Sequence, residues 1–338
     1  LWTDIDNDGD SDLIISREFA PIVVFVNEKG NFTELKNTGL ESFLGLWNSI
    51  NGGDFDGDGD VDYIVGNVGL NARFKGNEEF PAKILAGDFD GNGNYDAIPF
   101  IYLPKSNTDK KLVFAPYNAK DDMGKQLPIM QGRYTTFNEY ATATFENIFD
   151  DDKRKLATEF TLNYSTSVYV ENLGNGKFKL KPLPVYAQFA PINGTVIEDF
   201  DNDGNLDALL IGNNFGNELF VGRYDASNGL LLLGDGKGNF TPKLNTGFAV
   251  AGDAKALVKL VDLSGEVKVL ASQNRGVAKL FGTALKGKII EPKPTTTQIS
   301  YELNGKKVIK EIYYGASYLS QSSRRVVVPE NATNIVLK

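Results

Sequence analysis

The 338-residue chain has no cysteine and no histidine. The first absence excludes disulfides, thiolate nucleophiles and cysteine-bound zinc. The second excludes a Ser-His-Asp triad and any imidazole metal ligand. Whatever chemistry the chain performs falls to carboxylates, amides, hydroxyls, Lys and Arg. No apolar run reaches the roughly 20 residues that a membrane-crossing helix requires, so the sequence is read as lacking a transmembrane segment. A formal charge of −9 leaves no basic excess for a nucleic-acid partner. What the chain does have is 35 glycines and 41% hydrophobic residues. That combination points to an all-β fold of short strands and tight turns around a sizeable core.

The acidic residues are not spread evenly. Seventeen of the 44 sit in four nine-residue segments, and outside them 27 acids face 35 bases. The first segment runs Asp4-Ile5-Asp6-Asn7-Asp8-Gly9-Asp10-Ser11-Asp12, the second Asp54-Phe55-Asp56-Gly57-Asp58-Gly59-Asp60-Val61-Asp62. The third is Asp88-Phe89-Asp90-Gly91-Asn92-Gly93-Asn94-Tyr95-Asp96, the fourth Asp199-Phe200-Asp201-Asn202-Asp203-Gly204-Asn205-Leu206-Asp207. Calcium takes six to eight hard oxygen ligands in flexible geometry. Side chains at positions 1, 3 and 5 can converge on one ion, glycine at position 6 allows the sharp turn, and the backbone carbonyl at position 7 (Asp10, Asp60, Asn94, Asn205) can add an oxygen. The Asp at position 9 is placed to close the shell. Without a cation these carboxylates repel one another. The expectation is about four Ca²⁺ ions, whose charge would cancel most of the net negative charge.

An EF-hand would need a bidentate Glu at position 12. This chain has Ile15, Val65, Pro99 and Leu210 there. Each segment instead runs into a short apolar stretch of buried-strand type, such as Tyr63-Ile64-Val65 or Ala208-Leu209-Leu210-Ile211. Position 2 is apolar each time (Ile5, Phe55, Phe89, Phe200), as a core anchor would be. A second motif follows downstream: Phe25-Val26-Asn27-Glu28-Lys29-Gly30-Asn31-Phe32, then residues 170–178 and 233–240. Each reads as a strand, a Gly/Asn turn and a second strand. Loop, strand and hairpin together make a four-stranded blade. The loops start at 4, 54, 88 and 199, and a degenerate fifth unit at Leu260–Gly265 lacks the acidic set. Such radial repetition predicts a β-propeller.

Between the third and fourth loops lies a stretch of different character, about residues 104–163. Thr136-Phe137-Asn138-Glu139 fits a capping box, and Phe137, Tyr140, Ala141, Thr144, Phe145 and Ile148 keep a helical period. A small helical insertion between two strands of one blade is expected here. From about Lys293 short alternating stretches begin, near Ile299–Tyr301, Val308–Ile312, Val326–Val328 and Ile335–Leu337, as in an appended β module. The organisation is therefore read as a propeller over 1–290 and a β module over 291–338. The chain opens at Leu1 inside a loop motif, as expected of a fragment of a longer protein.

On these loops, the Gly-Asn-Phe hairpins and the strand order, residues 1–290 resemble the FG-GAP/VCBS repeat β-propellers, the group that includes integrin α-subunit heads and cartilage acidic protein. The segment Gly315–Ser323 resembles the ASPIC/UnbV module that follows such repeats. Asp121-Asp122-Met123 and Arg223–Gly229 resemble surface proteins of Bacteroidota-type bacteria. The resemblance implies a seven-bladed propeller with calcium in the loops, bound through Asp4, Asp6, Asp8 and Asp12; Asp54, Asp56, Asp58 and Asp62; Asp88, Asp90, Asn92 and Asp96; and Asp199, Asp201, Asp203 and Asp207. Only about five units are visible, so the ring is either incomplete in this stretch or unusual.

The main functional reading is a non-catalytic, calcium-stabilised binding or scaffold module at the cell surface, extracellular and on the bacterial outer membrane, with a protein or glycan partner. A polysaccharide-active enzyme is the alternative, since glycoside hydrolysis needs only two carboxylates. Glu139, Glu146, Tyr224 and Asp225 are candidates outside the loops, but no catalytic constellation emerges from them. A third reading is an accessory subunit of an outer-membrane uptake or secretion complex.

Overall fold

A computed structural model describes all residues 1–338. Nearly all of its regular structure is antiparallel sheet, as the glycine-rich, turn-rich sequence requires. The chain divides into two compact units, one formed by Leu1–Ala72 with Thr166–Lys338, the other by Arg73–Ser165.

The first unit holds three four-stranded sheets with one plan. The strands Trp2–Thr3, Asp12–Ile15, Val23–Glu28 and Asn31–Glu34 form the first sheet in that order. The second is Ser49–Gly53, Asp62–Gly66, Val168–Asn172 and Phe178–Pro182, and the third Ile192–Glu198, Asp207–Gly212, Leu230–Gly234 and Phe240–Lys243. In each, an acidic loop joins the first strand to the second, and the hairpin motif makes the third and fourth. The degenerate fifth unit turns the chain between Asp253–Val261 and Val267–Asn274, in a sheet of three strands with Lys279–Gly282. Asp262 there accepts hydrogen bonds from the Ser264 and Glu266 amides, an ordinary Asx turn.

The second strands of the second and third sheets are buried on both faces, which their continuous apolar runs dictate: Tyr63, Ile64 and Val65 are essentially inaccessible. Facing sheets share cores. Phe55, Ile64, Tyr169, Ala208, Leu210 and Leu232 pack together between the second and third sheets. Val196, Leu209, Ile211, Leu257, Val269 and Ala271 do so between the third and the three-stranded sheet. Close approach is enforced by glycine: a Cβ on Gly212 would lie 1.5 Å from the Pro191 carbonyl oxygen.

The expected C-terminal strands are present. Gln298–Leu303 lies between Lys306–Glu311 and Thr333–Leu337, while Lys288–Ile290 pairs with Val326–Val328. Residues 313–325 then lie along the first strands of the larger sheets. The Ser317 amide donates to the Ile50 carbonyl, the Tyr318 amide to the Asn193 carbonyl, and the Ser323 amide to the Lys259 carbonyl.

The second unit holds the expected helical insertion between two strands of one sheet, Leu112–Pro116 and Thr158–Leu162, and more besides. Four helices are present, but so is a four-stranded sheet of Leu112–Pro116, Asp96–Pro104, Ala82–Gly87 and Thr158–Leu162. The interruption thus begins well before residue 104 and carries the third acidic loop within it, between Ala82–Gly87 and Asp96–Pro104. The capping box is real: Thr136 Oγ1 accepts from the Glu139 amide and Glu139 accepts from the Thr136 amide. The helix it starts spans only Phe137–Tyr140, not the full periodic stretch. Thr142 Oγ1 donates to the Glu139 carbonyl, and the Asn147 side chain accepts from the Thr144 amide and donates to the Thr142 carbonyl. These local side-chain bonds compete with helix continuation. The apolar residues still reach a core, where Phe89, Phe100, Met123, Leu127, Ile148 and Phe149 meet.

Candidate metal centres

The four acidic loops share one backbone path. Position 6 glycines have φ of +97°, +99°, +84° and +94° (Gly9, Gly59, Gly93, Gly204). Position 4 also lies in the left-handed region, at Asn7, Gly57, Gly91 and Asn202 (φ 62°, 77°, 79° and 61°). The Asn/Gly alternation there is a signal the sequence reading passed over, since these are the residues that tolerate that conformation best. In every loop the position 5 amide donates to the position 3 side chain, at 3.2–3.3 Å. The position 7 amide donates to the position 5 side chain, at 2.7–2.9 Å. These successive Asx turns curl the chain so that its side-chain oxygens point inward.

The carboxylates converge as a result. Oxygens of Asp4, Asp6 and Asp8 lie within 4.8 Å of one another, as do those of Asp54, Asp56 and Asp58, of Asp88, Asp90 and Asp96, and of Asp199, Asp201 and Asp203. The third loop draws in its position 9 residue. In the other three, position 9 has a distinct task. Asp12, Asp62 and Asp207 are fully buried. One oxygen of each accepts the position 2 amide of its own loop (Ile5, Phe55, Phe200). The other accepts an amide of the downstream hairpin motif (Asn27, Asn172, Gly234). This is why loop and hairpin recur together: the ninth residue ties one to the other. Asp62 Oδ2 also accepts from the Tyr169 hydroxyl, while the other oxygens of these three residues keep a further lone pair.

Position 2 anchors as expected, with Ile5, Phe55 and Phe89 buried and Phe200 packed against the core. Position 7 side chains stay near the surface. Asp60 accepts from Asn7 Nδ2 at 2.7 Å, joining the second loop to the first. Asn172 Nδ2 donates to the Ile5 carbonyl, a second tie between them. Asp10 accepts the Lys29 amide. Asn205 Nδ2 donates to Asp203. The Asp4 amide and Thr3 hydroxyl both donate to Glu311, at 2.6 Å, so the strand Lys306–Glu311 holds the first loop.

Electrostatics show a site short of positive charge. Burial, with Asp58 and Asp56 adding to it, pushes Asp54 up to about 6. Burial also raises Asp12 and Asp207 to about 6 and Asp62 to about 7. Asp4, Asp56, Asp96 and Asp199 are raised for the same first reason. Asp88 is the exception: the Gly93 amide, with those of Gly91 and Asn92, holds it below the usual range. Asp4 Oδ1 and Asp96 Oδ2 are buried with no hydrogen-bond partner. Such an orphaned oxygen costs about 1–3 kcal/mol. An all-oxygen donor set with unanswered lone pairs fits a hard cation such as Ca²⁺.

The residues weighed for catalysis have other surroundings. Glu139 is spent on its capping box, Glu146 and Asp225 are exposed surface residues, and Tyr224 forms a backbone bridge with Asn214. The structure also shows a repeated Gly-Asn step after the second strands that the sequence reading missed. The Asn67 and Asn213 side chains are buried and bind loop backbone, Asn67 at the Leu46 amide and Asn213 at the Ser227 and Gly252 carbonyls.

Residues 4–65 match the family model of an FG-GAP-like repeat. That span covers the first two acidic loops and the strands between them. Comparison with curated proteins gives no match.

Proposed function

We propose that the chain is a calcium-stabilised β-propeller of the FG-GAP/VCBS kind that serves as a non-catalytic binding or scaffold module at the cell surface. The convergence of three carboxylates in each of four identically curled loops carries this reading. Calcium would be held by side chains at positions 1, 3 and 5, with the position 9 Asp completing the set and the position 7 carbonyl available. The ion supplies positive charge that lets buried carboxylates stay ionised at neutral pH. Four similar sheet units and a matching FG-GAP-like repeat support the propeller. The C-terminal strands with the 313–325 segment support an ASPIC/UnbV-like module. The partner is a protein or a glycan outside the cell, and a bacterial outer-membrane assembly is the setting in which such a module would act. Metal analysis after equilibrium dialysis against calcium tests the core of the proposal. About four ions per chain are expected, falling by one in the Asp54→Ala/Asp56→Ala variant. A wild-type chain that retains no calcium would overturn it.

A further inference from the structure

A cavity of about 640 Å³ opens in the first unit, between the second and fourth acidic loops and the C-terminal module. Its floor carries a buried charge triad: Glu198 accepts from Lys259 Nζ at 2.5 Å and from Lys310 Nζ at 2.7 Å. Burial pushes Glu198 up, but the two ammonium groups outweigh it and hold the carboxyl at about 2. Two ammonium groups share one carboxylate, so the triad adds a net positive charge to the cavity. The wall is different. Lys286 comes from the segment after the three-stranded sheet, and Lys306 and Lys307 follow the Asn304-Gly305 turn. All three are exposed and none forms an ion pair. Asp54, Asp56, Asp199 and Asp203 of the loops line the same cavity. The amides Asn202, Asn205 and Asn304 also line it.

We infer that this cavity binds an acidic oligosaccharide, a chain of uronate-type sugars, and does so only when the loops hold calcium. The inference rests on the calcium reading above. Without metal, the loop carboxylates offset the three wall lysines and repel an anion. An ion in each of the two loops matches the charge of the four carboxylates that line the cavity, Asp54, Asp56, Asp199 and Asp203, and leaves the lysines as the free charge of its lining. Lysine ammonium groups then meet sugar carboxylates, and side-chain amides, each both donor and acceptor, match sugar hydroxyls. A polar cavity of this size holds a short oligosaccharide rather than a folded partner.

Titration calorimetry with a trigalacturonate probe tests this, with calcium binding measured first on the same samples. Binding in calcium, none in metal-free buffer, and none of a neutral trisaccharide is the expected result. Lys306→Ala/Lys307→Ala should weaken binding about tenfold, the effect of losing about 1.4 kcal/mol of charge-assisted contact, while leaving calcium uptake and melting point unchanged. Calcium uptake without triuronate binding would overturn the inference and leave the calcium reading intact. So would binding that ignores the lysine changes, or a preference for hexaglutamate over the triuronate. Failure of calcium uptake itself would overturn both readings together.

Discussion

Asp62 shows how one residue serves two neighbours. Its oxygens take the Phe55 amide, the Asn172 amide and the Tyr169 hydroxyl, all in a buried setting. Replacement by Ala strands three donors, each costing about 1–3 kcal/mol when buried and unpaired. Asp62→Ala is therefore expected to destabilise by roughly 3–5 kcal/mol, a large loss for one site, measured by urea unfolding in calcium. A loss under about 1 kcal/mol would show that the carboxylate is not the anchor described. Raised carboxyl groups also set a pH dependence. Asp12, Asp54 and Asp207 sit at about 6 and Asp62 at about 7, above the unfolded value. The native state therefore binds their protons more tightly than the unfolded chain does. That stability is fully present below about pH 4 and is lost as pH rises through 6 to 7. Calcium-free protein should melt several degrees lower at pH 7.5 than at pH 5 on account of these groups, and calcium should reverse that trend. A melting point of metal-free protein that rises over the same interval would contradict it.

At the scale of elements, the acidic loops were legible because their ligands are local: nine consecutive residues carry side chains, turn glycine and core anchor together. The hairpins were legible for the same reason. What was hidden depends on partners distant in sequence. The strand Asp62–Gly66 pairs with Val168–Asn172, in the register Val65 to Val168, although some 100 residues separate them. No local pattern announces that pairing, so the nesting of the third loop's sheet inside the second was missed, although the helices were expected between two strands of one sheet. The helical period at 137–148 misled because its spacing served a core made of turns. The second role of the ninth Asp was likewise invisible, since it depends on where Asn27, Asn172 and Gly234 arrive. The pairing has a direct consequence. Because Val65 and Val168 are antiparallel neighbours, replacing residues 73–165 with a four-residue Gly-Ser turn should leave the first unit folded. The shortened chain should keep its β-type circular dichroism and take up three calcium ions in place of four. Loss of cooperative unfolding would mean that the second sheet needs the interrupting unit.

For the whole molecule, the repeated sheets leave the first unit without one central core. Its stability rests on sheet-to-sheet seams and on ties at their margins: Asn7 to Asp60, Asn172 to Ile5, Glu311 to the first loop, and the 313–325 segment along the first strands. Several of these ties run through the acidic loops, so mutual repulsion there would loosen more than the loops themselves. The central claim, that calcium is a structural part of the fold, is tested most directly by thermal unfolding in about 1 mM Ca²⁺ and in excess EDTA at neutral pH. A site with a Kd near 10 μM stabilises the native state by roughly 2.7 kcal/mol at that concentration. Several such sites should raise the melting point by well over about ten degrees. Identical melting points in the two buffers would mean that these loops are Asp-Gly turns without structural metal, and would contradict the account.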